Sequence, residues 1–209
     1  MTELTTPLRA LDAAVERIRA HVATRPRRGI AHDDADDTVG TIDSDEAVDF
    51  DPRPLLAAFD RHGARVVVIG QVAGILHGSE ELTGDLDLLW SGTADEAPKL
   101  VAAFADVDAS LFDDDHHALD LTVDALALAK VLFASPSASG DCCTPRLPWG
   151  ALDIEGTLAR AVRTHDGRVT VHYAALPDLI AMRRAAGRPK DLRRAAELDA
   201  LNGRNGPPN

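Results

Sequence analysis

Apolar residues recur along this chain with two periods, one typical of helices and the other of strands. Between residues 8 and 23 the apolar positions are spaced by three and four, which predicts an amphipathic helix with one buried face: Leu8, Leu11, Val15, Ile18 and Val22. Residues 66–69 instead form a continuous β-branched run, which predicts a fully buried strand. This strand and the segment after it are the predicted centre of the fold.

Two acidic residues follow this strand at a spacing that places them side by side. After Gly70 and a short predicted helix at residues 72–76, a second strand is predicted at residues 85–89. Side chains of a strand alternate between its two faces, so Asp85 and Asp87 point the same way. Such carboxylates repel each other unless a cation lies between them, and their oxygens suit Mg²⁺. The pair also occurs at strand ends that bind no metal. With Gly70 allowing a phosphate to approach the backbone, the segment predicts half of a metal-dependent phosphoryl or nucleotidyl transfer site.

The rest of the pattern mixes further helices with short strands, which predicts an α/β or α+β domain around a small sheet. Of the two classes we expect α+β, with a small mixed sheet flanked by helices. Helices are predicted at residues 55–62, 94–105 and 156–163, and two helices after residue 174 form a helical C-terminal part. Strands are predicted at residues 119–124, 151–154 and 169–171, the last in a hairpin around Asp166 and Gly167, and a loop is predicted at residues 134–150.

Composition divides the chain into three parts. Residues 1–31 contain the first amphipathic helix, and residues 32–51 hold nine acidic residues and few core-forming ones, which predicts a flexible acidic linker. Residues 52–205 form the main domain, and a chain of 209 residues is long enough for one domain with a sizeable core. The first helix would cap this domain, bind a partner or act as a regulatory segment, and the sequence does not choose among these roles.

The net charge of −12 is unevenly distributed along the chain. Residues 144–209 contain 11 Lys and Arg against 7 Asp and Glu, a net of +4, which leaves −16 on residues 1–143. A basic segment on an acidic chain would let a polyanion dock at that segment alone. Arginines on solvated helix faces explain the same count equally well.

Sequence features also predict the cellular setting. No apolar run approaches the roughly 20 residues that span a bilayer, and the N-terminus lacks the basic and apolar regions of a signal peptide. The only cysteines, Cys142 and Cys143, are adjacent, a spacing that suits neither a mutual disulfide nor a metal site. These features predict a cytoplasmic protein without a membrane partner.

Two blocks of the sequence resemble known nucleotidyltransferases. The order of strand, glycine, short helix and Asp-x-Asp strand in VVVIGQVAGILHGSEELTGDLDLLW resembles the minimal nucleotidyltransferase superfamily. The segment AALPDLIAMRRAAGRPKDLRRAAELDAL, from Ala174, resembles the C-terminal signature of the AbiEii-type nucleotidyltransferases, which include toxins of toxin–antitoxin pairs. With a Gly-Ala-Leu-Asp match at residues 150–153, the resemblance covers about residues 55–200. Gln71 departs from the Gly or Ser of the family pattern, and it would either crowd the triphosphate or donate an amide to it.

The resemblance implies a metal site made of three carboxylates. Asp85 and Asp87 would hold Mg²⁺, while Asp153 would bind the catalytic metal and help to deprotonate the attacking hydroxyl. Asp120 is the rival for the third place because it also lies in an alternating strand. Two metals about 3.5–4 Å apart stabilise both the entering and the leaving oxygen, so three carboxylates suffice.

The C-terminal block implies contacts with both substrates. Lys190 would meet the nucleotide phosphates as a compact charge, in a nucleotide site that also includes Gly70 and Gln71, and Asp191 would orient that lysine. Three arginines would line a groove for the acceptor, unless they only form a solvated helix face: Arg183, Arg184 and Arg188.

The activity implied by the resemblance is Mg²⁺-dependent transfer of NMP from an NTP, with a catalytic set of Asp85, Asp87, Asp153, Lys190 and Asp191. For a toxin of this type the expected acceptor is the 3′ end of tRNA, whose modification would block translation, and a cognate antitoxin protein would be a further partner. Two alternatives stay open. One is transfer to a protein or small-molecule hydroxyl, and the other is a catalytically inactive binding module, which the departure at Gln71 favours.

Overall fold

The computed structural model describes residues 6–23, 42 and 44–205, and within them eight α-helices accompany one sheet of eight strands. The helices are α1 (Pro7–Val22), α2 (Arg53–His62), α3 (Gly70–Leu76), α4 (Ala97–Ala105), α5 (Val123–Leu126), α6 (Ile154–Ala159), α7 (Leu176–Ala186) and α8 (Pro189–Asn205). The strands are β1 (Val66–Val68), β2 (Leu88–Trp90), β3 (Ser110–Phe112), β4 (Ala118–Leu119), β5 (Lys130–Ala134), β6 (Ser139–Cys143), β7 (Val162–His165) and β8 (Thr170–Tyr173). None of these helices is long and apolar enough to cross a membrane.

The sheet is mixed, and its strands lie in the order β4-β3-β5-β6-β2-β1-β8-β7. Strand β1 pairs with β2 in antiparallel and with β8 in parallel orientation, and β2 pairs with β6 in parallel orientation. The predicted α+β class is therefore confirmed, including the hairpin of β7 and β8 and the two C-terminal helices. The sheet has more strands than the sequence predicts, because β3, β5 and β6 form where the apolar pattern predicts no strand.

The hydrophobic core is centred on the two strands that the apolar pattern predicts as buried. Every residue of β1 and β2 is buried, as expected of central strands covered on both faces. A cluster of three aromatic rings extends the core. The ring centroid of Phe104 lies 5.3 Å from that of Phe59, edge to face, and 5.3 Å from that of Phe133. Fully buried Trp90 completes this centre.

Helix α1 forms as predicted, and its apolar face belongs to the same core. All five predicted apolar positions and Ala14 are buried, and the helix packs against α3. Arg17 also donates a hydrogen bond of 3.0 Å to the carbonyl oxygen of Glu80. Among the roles that the sequence leaves open for this helix, the packing favours a cap on the main domain.

The predicted acidic linker is only partly within the described residues. Residues 32–41 lie outside them, but residues 45–47 form a short 3₁₀ helix, and both Ala47 and Phe50 are buried. A Cβ atom added to Gly84 would lie 2.6 Å from the Cα atom of Ala47, so the backbones are in close contact. The packed part of the chain therefore begins before residue 52.

The predicted loop at residues 134–150 contains strand β6, which is a correction to the sequence analysis. Serine and glycine in this segment favour a turn by composition, but Gly140 lies against the neighbouring chain. A Cβ atom there would lie 2.1 Å from the carbonyl oxygen of Leu86, which only glycine avoids. The small residue therefore marks a close approach between strands.

Of two further predicted strands, one is shorter than predicted and the other is absent. In both segments a polar residue beside apolar ones, which resembles the alternation of a strand, is instead the N-cap of a helix. The strand predicted at residues 119–124 is reduced to β4, and Thr122 Oγ1 accepts a hydrogen bond from Ala125 N that caps α5. The strand predicted at residues 151–154 is a turn before α6. A polar residue beside apolar ones is typical of both an edge strand and a helix N-cap.

The packing of α1 predicts a large loss of stability when one of its core residues is truncated. Leu11 is 0% exposed, so Leu11→Ala should lower the free energy of unfolding by about 2–5 kcal/mol in urea titrations. Arg9→Ala, on the exposed face of the same helix, is the control and should change it by less than about 0.5 kcal/mol. Equal stability of Leu11→Ala and the wild type would mean that α1 is dispensable for folding.

Candidate active site

A cleft of about 320 Å³ lies over the part of the sheet where β3, β5 and β6 approach the start of β2. Its walls combine an acidic side, two cations and an apolar floor. The acidic side chains are Asp85, Asp87, Asp114 and Asp141, the cations are Lys130 and Arg188, and the floor includes Phe112, Leu132 and Phe133. This cleft brings together more charged groups than the cavity of about 110 Å³ between α2 and β8.

The first two carboxylates lie in the extended segment just before β2 rather than within the predicted strand. Ile69 N donates a hydrogen bond of 2.9 Å to the carbonyl oxygen of Asp87, which continues the pairing of β1 with β2. The buried Thr83 hydroxyl donates a hydrogen bond to Asp85 Oδ1. The spacing of two residues predicts a shared face correctly, and both side chains line the cleft.

Gly70 lies directly beneath the carboxylate of Asp87. Its φ angle is +62°, and a Cβ atom built there would lie 1.8 Å from Asp87 Oδ2. A side chain at this position would therefore both strain the backbone and displace the carboxylate. The sequence predicts a glycine that admits a phosphate, whereas the structure shows that the glycine also admits Asp87.

The third carboxylate of the cleft is Asp141, which the sequence analysis does not single out. In the parallel pairing of β2 with β6, Leu88 is opposite Cys142, so Asp87 and Asp141 are neighbours on adjacent strands. After burial and Asp85, Asp141 is accordingly one of the causes that raise the pKa of Asp87. The signal in the sequence is an acid between Gly140 and two small apolar residues, and it is hidden by the turn-like composition around it.

The electrostatics of the cleft disfavour ionisation of its central carboxyl group. Burial, followed by the negative charges of Asp85 and Asp141, raises the pKa of Asp87 well above its ordinary value, while Arg183 and Arg188 oppose that rise. On the other side, Lys130 Nζ lies 2.7 Å from Asp114 Oδ1 and 3.8 Å from Asp141 Oδ2. The cleft therefore gathers negative charge that a bound cation would compensate.

The donor set fits a hard divalent cation by its chemistry. Asp85, Asp87 and Asp141 offer only carboxylate oxygens, which are the ligands that Mg²⁺ prefers, and Mg²⁺ usually keeps waters or takes substrate phosphates for its other positions. As the side chains stand, no group of three or more His, Cys, Asp or Glu residues in the described part of the chain is close enough to hold a metal ion. The cleft therefore contains the carboxylate ligands that Mg²⁺ prefers, but they do not form a complete coordination site as they stand.

The structure does not bring either sequence candidate for the third carboxylate into this cleft. Asp153 is exposed at the N-cap of α6, where it accepts hydrogen bonds from Gly156 N and from Arg160 Nη1. The backbone hydrogen bond and then the arginine lower the pKa of Asp153, as expected for a structural cap. Asp120 is exposed and follows the short strand β4. Among the described residues that line the cleft, the acid beside Asp85 and Asp87 is Asp141, and Asp153 is not one of them.

Gln71 and Arg183 lie in the interior, so neither is placed to contact a ligand as the sequence predicts. They are 3% and 4% exposed, respectively. Arg183 Nη2 donates hydrogen bonds to Gln71 Oε1 and to the carbonyl oxygen of Gly70, over distances of 2.6 and 2.9 Å. The side chain of Gln71 is therefore in the interior and is not part of the lining of the cleft.

The other C-terminal candidates divide between the interior, the surface and the cleft. Lys190 and Asp191 are both buried in the first turn of α8. Arg184 is exposed and forms an ion pair with Asp199. Arg188 lines the cleft and donates from Nε to Asp191 Oδ2 over 2.5 Å. Of the three arginines predicted to bind the acceptor, Arg188 is therefore the one that reaches the cleft.

No protein-family model matches this chain, and no curated protein is significantly similar to it. The resemblance to AbiEii-type nucleotidyltransferases therefore stays a prediction.

The raised pKa of Asp87 predicts an unusual dependence of stability on pH. Because the folded chain resists ionisation of this group, its contribution to stability is present below the ordinary pKa of 3.8 and is lost as pH rises through the raised value. Asp87→Asn should therefore be more stable than the wild type at pH 7 in the presence of a chelator, and this advantage should vanish at low pH. Urea unfolding between pH 3.5 and about 8 measures the difference.

Asp106→Asn is the control with the opposite sign. Hydrogen bonds from His62 and then Arg61 lower the pKa of Asp106, so its contribution is present above the ordinary pKa and is lost as pH falls. Its replacement should destabilise the chain at pH 7 and have less effect under acid conditions. If both variants show the same pH profile, the pKa of Asp87 is not raised in the folded chain.

Proposed function

We propose that this protein is a Mg²⁺-dependent nucleotidyltransferase, which transfers NMP from an NTP to a hydroxyl group. The observation that carries the proposal is the convergence of Asp85, Asp87 and Asp141 on one cleft beside the Gly70 turn. A carboxyl group whose pKa is raised by burial and by neighbouring acids, as that of Asp87 is, is typical of functional sites. The carboxylate set differs from that implied by the resemblance, with Asp141 in place of Asp153.

In the proposed reaction the acceptor oxygen attacks the α-phosphorus of the NTP. A new oxygen–phosphorus bond forms, the bond from that phosphorus to the β-phosphate oxygen breaks, and pyrophosphate leaves. Asp141 would accept the proton of the attacking hydroxyl, while Asp85 and Asp87 would provide oxygen ligands for Mg²⁺. Bound Mg²⁺ would supply charge stabilisation at the phosphate oxygens. Lys130, held by Asp114 and Asp141, would add a positive charge at the same cleft.

For the acceptor, we retain the 3′ end of tRNA, with translation arrest as the consequence and a cognate antitoxin as a partner. Arg188 supports this choice because it is a cation on the wall of the cleft, within reach of an RNA phosphate. A protein or small-molecule hydroxyl is the second candidate. It is favoured by the acidic wall of the cleft at Asp114, and by the ion pair that engages Arg184.

The structure weakens the case for an inactive binding module. The departure at Gln71 is the sequence feature behind that alternative, since a long side chain would obstruct the nucleotide. Gln71 is buried and donates from Nε2 to Ser79 Oγ and to the carbonyl oxygen of Glu81, over 3.0 and 2.7 Å. Its side chain therefore occupies interior space and leaves the cleft open.

The direct test is to incubate the purified protein with each α-labelled NTP, Mg²⁺ and total RNA, and separately with total protein. Transfer of label to RNA of tRNA length would support the tRNA acceptor, and transfer to protein would support the alternative. Asp87→Asn should lower transfer by more than about 100-fold, beyond the effect typical of outer-shell metal partners. Wild-type transfer by Asp87→Asn would exclude this cleft as the active site.

A second comparison separates the two candidates for the third carboxylate. Asp141→Asn should reduce turnover to the level of Asp87→Asn while the protein still binds NTP. Asp153→Asn should keep most of the turnover, because asparagine also caps a helix and Asp153 lies outside the cleft lining. Circular dichroism checks that both variants fold. Loss of turnover in Asp153→Asn alone would return the catalytic role to Asp153, as the resemblance implies.

A further inference from the structure

A buried arginine on α7 reaches the turn beneath the candidate active site. Arg183 is 4% exposed, and its Nη2 atom donates to the carbonyl oxygen of Gly70 over 2.9 Å and to Gln71 Oε1 over 2.6 Å. Its Nη1 atom lies 3.7 Å from Asp191 Oδ1 on α8. One guanidinium therefore connects the first turn of α3 with both C-terminal helices.

The partner Gln71 is itself fixed in orientation. Because its Nε2 atom donates to Ser79 Oγ and to the carbonyl oxygen of Glu81, its Oε1 atom is directed to Arg183. Ser79 Oγ in turn donates to Glu197 Oε2 on α8 over 2.7 Å. The glutamine amide therefore has a single orientation that satisfies both ends.

Space for this pair is provided by a glycine in the middle of α3. A Cβ atom at Gly74 would lie 2.9 Å from Gln71 Oε1 and 3.2 Å from Arg183 Nη2. Glycine in a helix interior costs roughly 0.5–1 kcal/mol relative to alanine. Its presence here is explained by the room that the buried pair requires.

The position of Gly70 matters because Asp87 rests on it. The carboxylate of Asp87 fills the place that a Cβ atom of Gly70 would occupy, so a shift of this turn would shift the carboxylate or open a gap beneath it. The guanidinium binds the turn at the carbonyl oxygen of Gly70, and Arg183 is not among the residues that line the cleft. It is therefore an outer-shell contact of the site, comparable to those that orient metal ligands in other proteins.

We propose that Arg183 is a positioning residue, which fixes the Gly70 turn and thereby holds the Asp87 carboxylate in its place at the cleft, where it would be a metal ligand. This inference rests on the proposed function, since it concerns the same carboxylates. It assigns Arg183 a role that differs from the contact with the acceptor implied by the sequence.

This contact depends on the two terminal nitrogens of one guanidinium: Nη2 donates to the carbonyl oxygen of Gly70 and to Gln71 Oε1, while Nη1 faces Asp191. A guanidinium presents several N–H donors in a rigid plane, whereas a lysine ammonium is a point charge on a flexible stem. Lysine at position 183 would keep the charge beside Asp191, but it would not hold the acceptors on Gly70, Gln71 and Asp191 together. The Arg183→Lys variant therefore separates the charge from the positioning.

The test is a titration of the purified full chain with Mn²⁺ alone, followed by electron paramagnetic resonance of the free ion. Wild-type protein should bind Mn²⁺, and Asp87→Asn should abolish this binding. Arg183→Lys and Gly74→Ala should both weaken the affinity by about 10- to 100-fold, the range for outer-shell partners of metal ligands. Gly74→Ala leaves every charge in place and acts only by displacing the pair.

Arg194→Lys is the matched control for loss of a buried arginine. Arg194 is also 4% exposed, but its Nε atom donates to the Glu81 carboxylate over 2.6 Å rather than to Gly70 or Gln71. This variant should bind Mn²⁺ with the wild-type affinity. Near-ultraviolet circular dichroism and urea unfolding identify any variant that does not fold, and affinities are compared only between folded ones.

The outcomes separate failure of this inference from failure of the proposed function. If the wild type binds Mn²⁺ no better than Asp87→Asn does, the metal site and the proposed function both fail. If the wild type binds Mn²⁺ and the folded Arg183→Lys and Gly74→Ala variants bind it equally well, only the positioning role is overturned. An equal loss in Arg194→Lys would likewise overturn it, because any buried arginine would then have the same effect.

Discussion

The close contact between Asp87 and the Gly70 turn is the constraint on which the candidate site depends. Strands β1 and β2 bring these residues together through the hydrogen bond from Ile69 N to the carbonyl oxygen of Asp87. Because Gly70 has no side chain, the carboxylate of Asp87 occupies the space where a Cβ atom would lie. The cleft begins at this point, and β6 adds Asp141 beside it.

Much of this arrangement follows from local sequence signals. The β-branched run before Gly70 predicts the buried central strand, and the two-residue spacing predicts that Asp85 and Asp87 face the same side. The signals fail where the tertiary structure decides the outcome. Asp141 belongs to the site only because β6 lies parallel to β2, a pairing between segments about 50 residues apart that no local pattern records.

The case of Asp153 shows how one pattern can have two structural origins. An acid beside apolar residues after a glycine is typical of a ligand-bearing strand, but it is also typical of a helix N-cap. The lowered pKa of Asp153, caused by Gly156 N and then Arg160, belongs to the second case. The raised pKa of Asp87 has a different origin, since burial and then the neighbouring acids disfavour its ionised form. The two carboxyl groups therefore differ in the direction of their pKa shifts: the pKa is lowered for Asp153, which caps a helix, and raised for Asp87, whose ionised form is disfavoured.

The charge distribution also has a different meaning in three dimensions from the one it has along the chain. The excess of arginine after residue 144 suggests a surface for a polyanion, yet Arg183 and Arg194 are buried, where they donate hydrogen bonds to Gln71 and Glu81, respectively. Desolvation lowers the pKa of Arg183 to about 10, and at neutral pH it therefore keeps its charge. That buried charge partly offsets the carboxylates above it, since Arg183 is one of the groups that lower the pKa of Asp87. The basic C-terminal part of the chain thus reaches the acidic site from the interior, because Arg183 on α7 donates a hydrogen bond to the carbonyl oxygen of Gly70 and lowers the pKa of Asp87.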